Sequence, residues 1–228
     1  MKICGFQKMT LLDFPGRVAC TVFTGGCNFR CPFCHNAALV THIDGQMIDE
    51  AEIFSYLNKR KGLLDGVCIT GGEPLLQSDI AEFIKSVKEM GFAVKLDTNG
   101  AFPERLAALI DEGLLDYVAM DIKNSKEKYS LTCGVCVDIA AIERSVELLK
   151  KGKVDYEFRT TLVKELHDEQ DILSMASWLS GTRSWYLQNF VDSGDLIQKG
   201  LSAHSEEWVK NAQTLAAQTI ECVKVRGL

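Results

Sequence analysis

Short apolar runs alternate along the chain with longer segments of helical periodicity. Residues 18–24 form a β-rich apolar run, whereas residues 49–61 repeat apolar side chains at helical spacing, with Ile53, Phe54 and Leu57 on one face. Strands that alternate with helices of this length predict βαβ units around a parallel sheet.

The same alternation continues to the end of the chain. Further strands are predicted over 66–70, 93–97, 116–122, 154–163 and 184–190. Further helices are predicted over 78–90, 103–112, 139–151, 168–179 and 205–217, before a β-rich tail at 219–225. About six βα units fit, fewer than the eight of a closed barrel. The expected fold is one α/β domain over 1–228, an incomplete (β/α)6 TIM-like barrel, with a doubly wound open sheet as the alternative.

Composition narrows the class of protein. The 228 residues are 46% hydrophobic and carry a net charge of −6, which argues against a nucleic-acid-binding surface. No apolar run has the length of a membrane span or of a signal peptide, so we expect a cytoplasmic protein without a membrane partner. The nine cysteines cannot all pair within one chain. Clustered cysteines in a reducing compartment more often bind metal or perform redox chemistry than form disulfides.

Three of these cysteines lie on one short loop after the first predicted strand. Cys27, Cys31 and Cys34 have the spacing Cys-x3-Cys-x2-Cys. Thiolates are soft ligands that suit zinc or an iron–sulfur cluster. Three ligands would leave one iron of a cubane open to a substrate, and an open position is what a catalytic metal needs. A structural zinc site with His35 or Cys20 as the fourth ligand is the alternative.

The cysteine motif, with the aromatic Phe33 before its last cysteine, resembles the radical S-adenosylmethionine (SAM) superfamily. Other stretches look like the start of glycyl-radical-enzyme activating proteins, above all those of anaerobic ribonucleoside-triphosphate reductase: Gly5-Phe6, Asp13-Phe14-Pro15-Gly16 and residues 23–36. The resemblance implies a barrel of radical SAM type and one [4Fe–4S] cluster on the three cysteines. Its open iron would bind the methionine amino and carboxylate groups of SAM beside Phe33.

Polar motifs follow the next three predicted strands, at the edge where α/β folds bind ligands. The first motif is Gly71, Gly72, Glu73 and Pro74. Without the resemblance it is a glycine turn that starts a helix. The resemblance implies that this stretch receives the methionine amino group of SAM.

The other two motifs begin at Asp97 and at Met120. Each acidic residue could simply cap the following helix. The resemblance implies instead that Asp97, the Thr98 carbonyl or hydroxyl, the Met120 carbonyl and Asp121 hold Na⁺ or K⁺ beside the SAM carboxylate, as hard oxygens suit a hard cation. Lys123 would pair with that carboxylate, and Asp97 would also contact the nucleoside.

Two later strands carry further candidates. Arg159 lies in an apolar strand and needs a partner, either a structural ion pair or the nucleoside. Gln188 and Phe190 would border the adenine, unless Phe190 belongs to the core and Gln188 faces solvent. The histidines at 42, 167 and 204 are predicted to be surface residues.

The reaction implied by the resemblance is reductive cleavage of SAM. A flavodoxin or ferredoxin would reduce the cluster, and the resulting 5′-deoxyadenosyl radical would take a hydrogen atom from a glycine of a partner enzyme. The alternatives are a radical SAM enzyme acting on a small molecule or another peptide, an electron-transfer module, and a zinc-binding interaction protein. A second cluster at Cys133 and Cys136 is not expected, because the other cysteines are widely spread.

Overall fold

Eight strands form one sheet in chain order in this computed structural model, which describes residues 1–41 and 47–228. The strands are β1 (Ile3–Thr10), β2 (Ala19–Thr24), β3 (Gly66–Gly71), β4 (Ala93–Thr98), β5 (Tyr117–Asp121), β6 (Asp155–Leu162), β7 (Trp185–Asn189) and β8 (Val223–Arg226). β1 pairs antiparallel with β2, and the pairs from β2 to β8 are all parallel. The carboxyl ends of seven strands therefore share one edge of the sheet.

Helices connect the parallel strands. They are α1 (Ala37–Thr41), α2 (Glu50–Asn58), α3 (Ile80–Glu89), α4 (Pro103–Asp111), α5 (Tyr129–Cys133), α6 (Ile139–Lys150), α7 (Glu169–Trp178) and α8 (Glu206–Ala216), with a 3-10 turn at Pro74–Leu76. Among the described residues, none of the helices combines the length and hydrophobicity of a transmembrane span.

Six βα units run from β2 to α8 and confirm the predicted incomplete barrel. β1 was not predicted, because this edge strand is half exposed and lacks a continuous apolar run. The β-rich tail forms β8, which starts later than predicted. Neither α1 nor α5 was predicted, since five residues are too few to show helical periodicity. The sheet spans Ile3 to Arg226, while a single domain over 1–228 stays a prediction.

The two faces of the sheet differ in polarity. In β4, Val94 and Leu96 are fully buried in the hydrophobic core, while Lys95 and Asp97 alternate with them and lie on the other face. β6 repeats this pattern, and its Glu157 accepts two hydrogen bonds from Arg226 of β8. The concave interior of the part-barrel is therefore polar and charged, and it leads up to the carboxyl edge.

One histidine departs from its predicted surface position. His167 is only 3% exposed, and its ring nitrogens contact the backbone of Val163 and Lys123. Its ring connects two loops at the carboxyl edge and is therefore buried. His204 is half-buried and stacks on Trp208, and His42 lies outside the described residues.

Candidate active site at the carboxyl edge of the sheet

A cavity of about 230 Å³ opens at the carboxyl edge. The predicted site residues that line it are Cys27, Cys31, Cys34, Phe33, Gly71, Gly72, Asp97, Thr98, Asp121, Lys123, Arg159 and Gln188. Four predicted site residues are not part of this lining: Glu73, Pro74, Met120 and Phe190. The fold thus brings most of the candidates from six separate segments to one place.

Hydrogen bonds hold the cysteine loop over the cavity. The Arg30 N–H donates to the Cys133 carbonyl at 2.9 Å, which fixes the middle of the loop to the end of α5. The Arg30 guanidinium donates to the Cys27 carbonyl at 2.7 Å, and the Cys34 N–H donates to the Cys31 carbonyl at 3.1 Å. These contacts place all three thiols along one side of the cavity.

The three thiols differ in acidity. Burial raises the pKa of Cys27 to about 11, although the Phe29 N–H favours its thiolate, and burial also raises the pKa of Cys34. A hydrogen bond from the Cys133 thiol, assisted by Lys123, lowers the pKa of Cys31 despite its burial. Iron binds the thiolate form and displaces the thiol proton. The positive charge of the iron would therefore stabilise thiolates that burial alone disfavours.

The donor set fits an iron–sulfur cluster better than the zinc alternative. Zinc would need Cys20 or His35 as its fourth ligand. Cys20 is fully buried in the hydrophobic core and does not line the cavity, whereas His35 lines it beside the cysteines, with its ring stacked on Phe190 at 5.9 Å between centroids. Within the residues described, no group of three or more His, Cys, Asp or Glu side chains is arranged around one metal ion. A cubane takes each thiolate on a different iron and does not require such a group.

The turn after β3 touches the cysteine loop so closely that it requires glycine. A Cβ on Gly72 would lie 1.9 Å from the Gly26 carbonyl oxygen. Gly71 has a φ of +115°, and a Cβ there would lie 2.4 Å from the backbone of Thr24. The two glycines therefore let backbone, rather than side chains, border the cavity beside the cysteines.

Glu73 does not line the cavity, and donors of the protein enclose its carboxylate. The side chain is fully buried, and its carboxylate accepts from the Leu75 N–H at 3.0 Å, the Thr98 hydroxyl at 2.8 Å and the Asn99 N–H at 2.7 Å. Burial raises the pKa of Glu73 to about 7, against the effect of these donors. The carboxylate joins the loops after β3 and β4, and Pro74 begins the 3-10 turn behind it.

Five charged side chains form a continuous chain of ion pairs inside the part-barrel. Lys95 pairs with Asp97 Oδ1, and Arg159 Nη1 lies 3.1 Å from Asp97 Oδ2. Arg159 Nε lies 2.9 Å from Asp121 Oδ1, and Lys123 Nζ lies 3.0 Å from Asp121 Oδ2. Burial opposes ionisation of both aspartates, but the neighbouring cations together have the larger effect. They lower the pKa of Asp97, and they lower that of Asp121 to about 2. Three cations against two anions leave a net charge of +1.

Three of the four expected ligands of a monovalent cation have other contacts through their side chains. The carboxylates of Asp97 and Asp121 already accept from lysine or arginine. The Thr98 hydroxyl donates to Glu73. For Met120 the expected ligand is the backbone carbonyl, which stays a prediction, while the side chain packs against Gly100, where an added Cβ would lie 2.1 Å from Cε.

The end of β7 contributes one of its two candidates. Gln188 lines the cavity, as expected. Phe190 is 2% exposed, packs in the core against His35 and does not line the cavity, so its place beside the adenine stays a prediction. Burial of the ring under the cysteine loop removes a large apolar surface from water, which favours this position.

Several residues near the site were missed in the sequence. Lys95 pairs with Asp97. The feature of the sequence that could have revealed it is a lysine among the apolar residues of β4. Asn99 Nδ2 donates to Asn28 Oδ1 at 2.8 Å, and Asn36 Nδ2 donates to the Gly71 carbonyl at 3.1 Å. Cys133 is buried against Cys31, whereas Cys136 is exposed. The asparagines had no signal that could be separated from ordinary loop polarity.

A part-barrel with a three-cysteine loop and a charged interior defines a class of enzyme that handles a charged ligand beside a metal cluster. The family model of the radical SAM superfamily matches residues 21–178. The chain is 33% identical over 234 residues to a Methanocaldococcus jannaschii protein provisionally described as a glycyl-radical enzyme activating enzyme, covering 99% of this chain and 96% of that protein. The chain belongs to the radical SAM superfamily and is an enzyme of that family.

Other relatives extend over parts of the chain. The 7-carboxy-7-deazaguanine synthase of Thermoplasma acidophilum is 31% identical over 166 residues, 71% of this chain and 75% of the relative. The pyruvate formate-lyase-activating enzyme of Clostridium pasteurianum is 31% identical over 128 residues, 54% of this chain and 52% of the relative.

The fold is shared with a solved radical SAM structure. Streptococcus suis SuiB bound to S-adenosylmethionine superposes with a TM-score of 0.66 at 14% sequence identity. The match covers 89% of this chain and 48% of SuiB, so the chain spans about half the length of that protein. The superfamily implies a [4Fe–4S] cluster and SAM, and the cavity offers three thiols and a charged wall for them.

Proposed function

We propose that this enzyme cleaves SAM reductively and generates a glycyl radical in a partner enzyme of the anaerobic ribonucleotide reductase type. One observation carries the SAM-dependent part: three thiols lie in the same cavity as Lys123 and Arg159, two cations of the ion-pair chain. The activating role is supported by the relative that matches over 99% of the chain.

Each side of the cavity has a distinct task in this proposal. Cys27, Cys31 and Cys34 would hold the cluster, which when reduced supplies the electron that breaks the sulfonium C–S bond of SAM. Lys123 and Arg159 would receive the SAM carboxylate, because both face the cavity and belong to the chain that carries the excess positive charge.

The remaining walls of the cavity would bind the methionine amino group of SAM and exclude water from the cluster. Backbone at Gly71 and Gly72 would approach the methionine amino group, while Glu73 stabilises that turn from behind. Phe29 and Phe33 line the cavity beside the cysteines and would exclude water. A hydrogen atom moves directly between carbon atoms, so no side-chain acid or base is needed at the reacting atom.

Further parts of the proposal concern the surroundings of the enzyme. A flavodoxin or ferredoxin would supply the electron, and the protein would work in the cytoplasm. Its nine cysteines are all free thiols, which suits a reducing compartment. Na⁺ or K⁺ near Asp97 and Asp121 stays a prediction, although their carboxylates already have cationic partners.

A second candidate function is radical chemistry on a small molecule. It is favoured by the 7-carboxy-7-deazaguanine synthase relative, which covers 71% of this chain. The cysteines and the SAM-binding walls would be the same under both functions. Only the hydrogen donor differs, so the experiment has to identify the atom that loses hydrogen.

Anaerobic turnover with candidate partners tests the proposal. The protein is reconstituted with iron and sulfide, reduced, and mixed with SAM and each candidate glycyl-radical enzyme. We expect 5′-deoxyadenosine and a glycyl doublet in the electron paramagnetic resonance spectrum of the correct partner. The Cys31→Ala variant should produce neither.

Other results of this experiment would distinguish the two candidate functions or exclude both. Production of 5′-deoxyadenosine without a doublet from any partner would favour the small-molecule function. A reconstituted protein that binds a cluster but never cleaves SAM would remove both functions.

A further inference from the structure

Lys95 is the most deeply buried cation of the ion-pair chain. Its side chain is 1% exposed, although it lies at the centre of a strand whose carboxyl end reaches the cavity. Nζ contacts Asp97 Oδ1, and the Cys68 thiol lies 3.8 Å away. A buried ammonium of this kind requires a close anion, and Asp97 is that anion.

Lys95 supplies the second cationic partner of the Asp97 carboxylate. Lys95 takes Oδ1 and Arg159 takes Oδ2. Asp121 is equally occupied, with Arg159 on Oδ1 and Lys123 on Oδ2. Each of the four carboxylate oxygens therefore faces a cationic nitrogen of the protein.

The net charge of the ion-pair chain also disfavours a bound metal ion. A metal ion between two carboxylates offsets negative charge, but here the five side chains already sum to +1, and the nearby buried Glu157 is neutralised by Arg226. An added monovalent ion would raise the charge to +2 in a buried place next to ammonium and guanidinium groups. Like charges in such surroundings repel strongly, so the ion would have to displace a protein cation.

We propose that Lys95 is a positioning residue that takes the place of a monovalent metal ion at Asp97, so that SAM binding needs no Na⁺ or K⁺. Lys95 does not line the cavity and acts through Asp97, holding that carboxylate ionised and fixed under Arg159. The inference rests on the proposed binding of SAM in this cavity.

The first experiment needs no substitution. The affinity of reconstituted protein for SAM is measured by equilibrium dialysis in NaCl, KCl and choline chloride, each at about 150 mM so that screening is constant. Choline is too large to enter the ion-pair chain. We expect a dissociation constant that agrees within about twofold, or ~0.4 kcal/mol, across the three salts.

The second experiment removes the ammonium with Lys95→Met, which keeps most of the apolar stem. In choline chloride, the SAM dissociation constant should rise about tenfold, because Asp97 loses one cationic partner. KCl or NaCl should restore most of the affinity by entering the vacated position. Gain of dependence on a small cation is a result that mere loss of packing would not give.

Lys88→Met is the matched control. Lys88 also forms an ion pair, 2.7 Å from Asp116, but it lies outside the cavity. This variant should bind SAM like the parent protein and show no dependence on the cation.

A third measurement is independent of SAM. Thermal unfolding of the iron-free Lys95→Met protein should shift to higher temperature in KCl relative to choline chloride, since an ion that binds only the folded state stabilises it. The parent protein should show no such shift. If the variant does not fold, the comparison of SAM affinity of the parent protein in the three salts still shows whether SAM binding requires Na⁺ or K⁺.

The outcomes separate two kinds of failure. Parent protein that binds SAM only with Na⁺ or K⁺ would overturn the role of Lys95 and leave the proposed function intact. Lys95→Met protein with weakened binding in every salt would also overturn it. Failure to bind SAM in all three salts would instead remove the proposed function.

Discussion

Arg159 and Asp121 join two neighbouring strands across the interior of the part-barrel, with 2.9 Å between Arg159 Nε and Asp121 Oδ1. The arginine is on β6 and the aspartate ends β5, where the two residues are register partners. The same guanidinium reaches Asp97 of β4. One side chain thus fixes the carboxylates of two other strands at the cavity wall.

Replacement of Arg159 by Met should therefore weaken both the fold and ligand binding. Two buried carboxylates would lose a shared partner, which typically costs about 3 kcal/mol or more in unfolding free energy. SAM affinity should fall by about one to two orders of magnitude, measured by equilibrium dialysis. Arg159→Lys should recover only part of both, because an ammonium cannot span two carboxylates as a planar fork does.

Arg144→Met is the control for this loss, because Arg144 pairs with Glu104 on the exposed surface. Its unfolding free energy should change by less than about 1 kcal/mol. Equal effects of the two substitutions would contradict the assignment of Arg159 to the site.

Cluster assembly should depend on the loop cysteines and not on the exposed one. Cys31→Ala removes a thiol from the cavity wall, so reconstituted protein should lose most of its iron and its charge-transfer absorption. Cys136→Ala should retain both, since Cys136 is exposed. Iron and sulfide analysis after anaerobic reconstitution measures this, and a full cluster in Cys31→Ala would refute the ligand assignment.

The contact between Gly72 and the cysteine loop predicts a strong effect of one methyl group. Gly72→Ala would place a Cβ 1.9 Å from the Gly26 carbonyl oxygen, so the two loops would have to separate. We expect a loss of about 2 kcal/mol or more in unfolding free energy, together with reduced cluster content.

Gly62→Ala provides the comparison for backbone strain alone. Gly62 has a φ of +79°, and a Cβ there would meet nothing within 4 Å. This variant should lose about 1 kcal/mol and keep its full cluster content. A cluster content in Gly72→Ala equal to that of Gly62→Ala would show that the close approach is not required.

The buried Glu73 predicts a pH dependence of stability. Its pKa is about 7 in the folded protein against an ordinary value of 4.5, so the folded state binds its proton more tightly. The stabilisation is complete below the lower value and is lost as pH rises towards the higher one. The unfolding free energy of iron-free protein should thus fall by about 3 kcal/mol from this group across that window.

Glu73→Gln isolates this contribution, because the amide does not titrate. The difference in unfolding free energy between the two proteins, measured in urea at pH 5, 6 and 7 at constant ionic strength, should change steadily in favour of the variant. A difference that stays constant with pH would show that Glu73 keeps its ordinary pKa, held down by its three hydrogen-bond donors.

The sequence by itself determined most units of this fold and the three thiols proposed as cluster ligands. Strand and helix periodicity are local, so the strands β2 to β7 and all helices except α1 and α5 could be predicted from the order of apolar residues. The spacing of Cys27, Cys31 and Cys34 is local too, because the three residues share one loop and reach the same side of the cavity.

Only the tertiary structure decided which side chains meet. Glu73 turns away from the cavity because donors from the next loop enclose it, and Phe190 is buried because the cysteine loop packs over it. Arg159 of β6 reaches Asp97 of β4 and Asp121 of β5, and so joins their ion pairs into one chain. Such contacts join segments that are far apart in the chain, so their geometry and charge balance exist only after the strands have come together.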